Sequence, residues 1–195
     1  GFGLAVHQPM IENLTKHGRA NGQRPAAPSG WADGLNVKRA PTQQASVLVL
    51  AGCHAHHDAD AARVARKLAL LLKHAGVDFA VLGDAEPCCG LPAYWTGHRD
   101  IFTTIAGDAA KRFDDSGAHT IVTASGSCLG AMRSKYPRYA KAPQARVVHA
   151  TEFLAPLIGD GRLRLTRPVR RTVTYHDPCH LGRQSEPPVV WNGEY

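Results

Sequence analysis

The residues best equipped for chemistry are Cys88 and Cys89, adjacent in Glu86-Pro87-Cys88-Cys89-Gly90 and followed by Leu91-Pro92-Ala93-Tyr94. Neighbouring thiols cannot easily pair with each other, so they must be packed, oxidised or ligated; ligation is the use worth testing. The glycine after them lets the backbone take φ > 0 or approach a bulky inorganic group closely, which a side chain would forbid. Cys53, Cys128 and Cys179 bring the total to five. Thiolates are soft ligands suited to zinc or to iron–sulfur clusters. From Cys53 to Cys88 is a step of 35 positions, and from Cys89 to Cys128 one of 39. Each is one strand–helix–strand unit, unlike the compact Cys-x-x-Cys pairs of zinc fingers or ferredoxins. Two adjacent thiols favour a group larger than one tetrahedral ion, because neighbouring side chains diverge more readily than they converge on a small centre.

The elements that must position these thiols follow from periodicity. Ser46–Ala51 reads as a buried strand, and Asp58–Ala75 as a helix with Asp58 or Asp60 at its N-cap, an apolar face including Leu68, Leu71 and Leu72, and Gly76 as its stop. Asp78–Leu82 is a second strand, and Asp100–Ser116 a helix ended by Gly117. His119–Thr123 is a third strand, leading through a Ser-Gly-Ser-Cys-Leu-Gly loop to a short helix near Lys135. Arg146–Ala150 is a fourth strand, Thr151 caps a helix to Ile158, and Arg171–Tyr175 is a fifth strand. Short apolar strands alternating with helices predict an α/β fold, a Rossmann-like open parallel sheet covered on both faces and preceded by an irregular N-terminal arm. Cys53, the Cys88–Cys89 pair, Cys128 and Cys179 then each follow a strand. In such a sheet those loops emerge at the carboxyl ends of the strands, where ligands bind, so the cysteines are expected to converge.

Composition bounds the rest. With 195 residues and 44% hydrophobic content the chain can bury a core. No run of about 18 apolar residues exists, so no segment is expected to span a membrane. An odd number of cysteines in such a chain argues against a disulfide framework and for metal or redox chemistry in a reducing, cytoplasmic setting. The net charge of +7 is spread along the chain, with one modest cluster at Arg162, Arg164, Arg167, Arg170 and Arg171, so nucleic acid is not an expected partner. The chain begins with Gly1 and carries no signal-peptide pattern; it reads as a piece of something longer or a processed chain.

Cys53, then Cys88-Cys89-Gly90, then Cys128, with the later Tyr175-His176-Asp177-Pro178-Cys179-His180-Leu181-Gly182-Arg183, resembles the cysteine-rich CCG domain of heterodisulfide reductase catalytic subunits. It is similar too to the iron–sulfur subunits of glycolate oxidase and lactate utilisation. The resemblance covers residues 10 to 195 and includes the Gly22 region and Trp31-Ala32-Asp33-Gly34-Leu35, similar to the segment joining a ferredoxin part to a first CCG domain. It implies two motifs, each of one Cys, then CCG, then Cys-x-x-Cys, with an iron–sulfur cluster, in some members noncubane. This chain departs twice. Ser125 stands where the first motif has the opening cysteine of Cys-x-x-Cys, as in lactate-utilisation members, and Cys179 resembles the start of a second motif whose CCG does not follow. The implied organisation is an arm over residues 1–44, a first CCG domain over 45–170, and the opening of a second over 171–195.

The metal ligands expected from this are Cys53, Cys88, Cys89, Cys128 and Cys179, with Ser125, His176 and His180 as supporting residues, holding a [4Fe–4S] cluster, a noncubane variant or zinc. His54, His56 and His57 beside Cys53 read as loop histidines, and Tyr94 and Trp95 as packing residues. The function implied is that of an iron–sulfur electron-transfer subunit working with ferredoxin-like or flavoprotein partners, membrane-associated if at all through those subunits. The alternative is a zinc-bearing or metal-free scaffold for a larger redox complex. Nothing in the sequence identifies a substrate or a catalytic side chain.

Overall fold

In the computed structural model residues 4–22 and 30–185 are described. Residues 23–29 of the polar passage and 186–195 of the expected second-domain opening lie outside them. Strand β2, Val47–Leu50, is Val-Leu-Val-Leu with every residue buried, and it sits in the middle of a five-stranded sheet. Its neighbours are β3, Phe79–Val81, and β4, Thr120–Thr123; β1, Lys38–Arg39, and β5, Arg146–His149, form the edges. All pairings are parallel, with Val49 level with Val81 and with Val122. Alternate residues of β2 serve opposite faces: Leu48 and Leu50 join one core, Val47 and Val49 the other.

The helices are α1, Gln8–His17; α2, Ala59–His74; α3, Leu91–Trp95; and α4, Arg99–Asp115. They continue with α5, Gly126–Gly130; a π-turn, Ala131–Lys135; α6, Tyr136–Tyr139; and α7, Ala150–Gly159. Phe102 and Phe113 of α4, Leu129 of α5 and Tyr136 of α6 fill the first core, together with Ile11 and Leu14 of α1. Leu68 and Leu72 of α2, Leu157 of α7, and Trp31 and Leu35 fill the second. The chain runs from β2 through α2 to β3 on one side, then through α4 on the opposite face to β4 on the other side. The crevice at the carboxyl ends of β2 and β4 is therefore the topological switch point of the sheet.

The α/β class and the open parallel sheet agree with the sequence reading, and Asp58 caps α2 by accepting the Ala61 N–H at 2.8 Å. Three local expectations fail. Arg171–Tyr175 forms no strand: Val173 and Tyr175 are about four-fifths exposed, so this Thr- and Val-bearing run has β propensity but no sheet edge to complete. The Ser-Gly-Ser-Cys-Leu-Gly segment is helical from Gly126, because Ser125 caps it. Helix α7 is capped by His149, not Thr151, in a reciprocal arrangement with Glu152.

Candidate functional site

Four cysteines meet at the switch point. Cys53 opens a 3₁₀ turn directly after β2, reached through Gly52 at φ 85°. Cys88 and Cys89 lie in the loop after β3, which ends at Gly90, with φ 76°, as the N-cap of α3. A Cβ on Gly90 would come within 3.1 Å of the Phe102 ring, so glycine is what lets this loop close onto α4. Cys128 is on α5, its N–H donated to Ser125 Oγ at 3.3 Å. A Cβ on Gly52 would lie 3.7 Å from Cys128 Sγ, which measures how near the end of β2 comes to α5.

Cys88, Cys89 and Cys128 are buried and Cys53 is partly so. They form a chain of thiol contacts, Cys53 to Cys88, Cys88 to Cys89 and Cys89 to Cys128. Hydrogen bonds from the Cys53 and Cys89 thiols hold Cys88 well below the usual thiol range, helped by the Gly90 N–H at 3.4 Å and by the charge of Arg19. Cys53, bonded to Cys88 and desolvated, is pushed up; Cys89 is pushed up by its bonds to Cys128 and Cys88 and by burial. Of the three thiols so perturbed, Cys88 is the one whose pKa is lowered. Among the described residues no three His, Cys, Asp or Glu side chains are arranged to close on a single ion. The row is a set of soft donors side by side. A cavity of about 390 Å³, walled by Cys53, Cys89, Cys128, His54, Ser125 and Trp95, opens onto it.

Glu86 is buried, and its carboxylate accepts the N–H groups of Gly52 at 2.6 Å and Ala51 at 3.1 Å. Burial pushes its pKa up to about 7 against the pull of those two donors and of Arg19. Arg19, also buried, donates from Nη2 to the Asp84 carbonyl at 3.2 Å and so joins the turn after α1 to the loop carrying the cysteine pair. Tyr136 donates its hydroxyl to the Cys89 carbonyl at 3.2 Å. Sequence reasoning singles out none of these three. Glu86 lies two positions before the cysteine pair and two after Asp84, and no local pattern separates the two carboxylates.

The other expected residues do not join the row. Cys179 and His176 are exposed in the segment after α7. His180 packs its ring against Trp95 at 5.1 Å between centroids and lies over Gly130. Ser125 lines the thiol cavity but acts as the α5 cap. Of the three histidines after Cys53, His54 is exposed, whereas His56 is driven down to about 4 by burial and then by Arg19, with both ring nitrogens unpartnered among the described residues.

Residues 47–133, from the central strand to just past Cys128, match the cysteine-rich domain called CCG. Those residues belong to the CCG cysteine-rich domain family. The chain is 30% identical over 91% of its length to an EtfAB:quinone oxidoreductase of Syntrophomonas wolfei, covering 26% of that protein. It is 33% identical over 72% of its length to one component of the dihydromethanophenazine:CoB–CoM heterodisulfide reductase of Methanosarcina barkeri, covering 35% of it. A probable iron-sulfur-binding oxidoreductase of Bacillus subtilis, FadF, is 28% identical over 92% of the chain and 26% of its own length. The chain thus spans about a quarter to a third of these relatives. No solved structure matches it. The CCG of the family name is Cys88-Cys89-Gly90, at the centre of the thiol row.

Proposed function

We propose that this CCG domain is an electron-transfer part of an iron–sulfur oxidoreductase related to heterodisulfide reductase, with Cys53, Cys88, Cys89 and Cys128 holding a [4Fe–4S]-type cluster. The observation that carries the reading is the meeting of four thiols from separate elements at the switch point. Four soft donors suit a cluster, and a set short of the fifth cysteine, with Ser125 in its place, favours a cubane over a five-cysteine noncubane form. Bound there, the cluster would supply one-electron transfer. The residues of this chain would fix where it sits: Glu86 ties the β2 exit to the cysteine loop, and Gly90 lets that loop close.

Partner redox subunits, ferredoxin-like or flavin-bearing, would deliver and accept the electrons; in support, one relative is named as a subunit of a reductase and another for EtfAB and a quinone. Cys179, with His176 and His180, is assigned to a separate centre. Among the described residues no helix is long and apolar enough to cross a membrane; attachment to a membrane, if the complex has it, falls to other parts. The test is iron and acid-labile sulfide measured on anaerobically purified protein, with electron paramagnetic resonance after reduction. About four irons and four sulfides per chain are expected for the cubane reading. Zinc alone, or no metal, would replace it with the scaffold role.

A further inference from the structure

A second and larger cavity, of about 860 Å³, lies on the far side of the cysteine loop. It is walled by α1, by the Asp84–Cys88 segment and by the outer face of α4, and Cys88 lines it while the other three thiols line the first cavity. Its sides are apolar at Leu14, Ile101 and Ile105. Arg19 is 6% exposed, and its Nη1 is buried with no hydrogen-bond partner among the described residues, although Nη2 is satisfied by Asp84. An arginine donor left dry is costly, so an acceptor brought to this wall would relieve that cost. The position is built: Gly18, at φ 66°, closes α1 with its N–H on Leu14, and Asn13 Nδ2 donates to Ala20 O at 3.3 Å. Glu86 does not supply the acceptor, since its oxygens take the Ala51 and Gly52 N–H groups.

We propose that this cavity binds a small organic anion, a monocarboxylate with an apolar body, its carboxylate on Arg19 and its body against Leu14, Ile101 and Ile105. A planar carboxylate matches the guanidinium fork. Besides Arg19 the wall carries the carboxylates of Asp84, Glu86 and Asp108 against Arg112 and His17, a balance that disfavours a phosphate dianion relative to a single charge. The body of the anion then lies against Cys88. Binding itself needs no cluster; only its link to redox chemistry rests on the cluster reading.

The test is calorimetric titration of the full chain with hexanoate, with hexanamide as the uncharged isostere and with inorganic phosphate. Hexanoate is expected to saturate, with hexanamide and phosphate at least about tenfold weaker, as befits one charge-assisted contact. Arg19→Gln should remove that preference and Arg19→Lys keep part of it. Should Arg19→Gln fail to fold, Thr104→Trp, which places a large ring in the cavity from the exposed face of α4, should abolish hexanoate binding. Equal affinity for hexanoate and hexanamide, tighter phosphate binding, no hexanoate binding, or undiminished binding by the Thr104→Trp chain would each overturn the proposal. Iron analysis of the same samples separates the two readings: binding without iron leaves the anion site standing and removes the cluster, and iron without binding does the reverse.

Discussion

The Glu86 carboxylate accepts the Gly52 N–H at 2.6 Å across the switch point, joining the loop that carries Cys88 and Cys89 to the exit of the strand that delivers Cys53. Its other oxygen takes Ala51 at 3.1 Å. Glu86→Ala leaves both backbone donors dry, at about 1–3 kcal/mol each, and frees the two loops to separate. Chemical denaturation should show a loss of about 2–4 kcal/mol, and anaerobic reconstitution should show less iron per chain. Unchanged stability together with unchanged iron content would remove Glu86 from this role.

Gly90 combines a backbone and a packing requirement. At φ 76° a side chain costs about 1–2 kcal/mol, and its Cβ would press on Phe102 at 3.1 Å and Ile105 at 3.2 Å, both held in or against the first core. Gly90→Ala should therefore destabilise by about 2–4 kcal/mol, strain and overpacking together. Gly107→Ala, within α4 and with nothing near its Cβ, is the control and should be neutral or slightly stabilising in the same denaturation series.

What the sequence conveys and what it withholds divide along physical lines. Strands β2 to β5 and helices α2 and α4 are readable because a parallel strand buried on both faces is a continuous apolar run and a covering helix repeats at 3.6 residues. The gathering of Cys53, Cys88, Cys89 and Cys128 follows from that order of elements. The two-residue β1 is not readable, since Lys38 and Arg39 carry no strand pattern and pair only because β3 offers a free edge. The opposite error, a strand at Arg171–Tyr175, comes from propensity without a partner. Arg19, Glu86 and Tyr136 are invisible for a different reason: their roles are long-range hydrogen bonds to backbone groups, which no local pattern encodes.

Ser125 can serve the site in one of two ways, as a helix cap or as a ligand. Its hydroxyl accepts the Cys128 N–H at 3.3 Å, the ordinary work of an N-cap. Ser125→Ala should cost about 1 kcal/mol while leaving the iron content and visible absorbance as they are. Loss of the chromophore in that variant, with the fold intact by circular dichroism, would make the oxygen a ligand.

Glu152 predicts an acid limb in the stability profile. Arg133 forks onto its carboxylate at 3.0 and 2.6 Å, and the His149 N–H adds a bond at 2.8 Å. The Arg133 hydrogen bonds first, and then the His149 N–H, hold its pKa below the ordinary value in spite of partial burial. A carboxylate lowered in the native state contributes stability that is complete above its unfolded pKa of about 4.3 and is lost as pH falls through the native value. About a third of the side chain is exposed, so solvent screens the pair and the effect is modest. Denaturation midpoints taken from pH 6 to pH 3 should fall less steeply for Glu152→Gln than for the native chain, and parallel profiles would show that the pair carries no linkage.

The thiol row makes the sharpest demand on the proposed centre. If Cys53, Cys88, Cys89 and Cys128 are the ligands, Cys88→Ser or Cys89→Ser should bleach the visible absorbance and lower the melting temperature, because metal binding is coupled to folding. Ser is smaller than Cys and nearly isosteric, so the packing change alone is slight in the first core, where both thiols are buried. The comparison with metal-free protein isolates that part: without iron the variants and the native chain should melt within a few degrees of one another. Cys179→Ser, in the exposed segment, and His56→Ala, three residues beyond Cys53, should leave the chromophore intact. Bleaching by the His56 change, with colour retained after the Cys88 and Cys89 changes, would move the centre away from the switch point and onto the turn that follows β2.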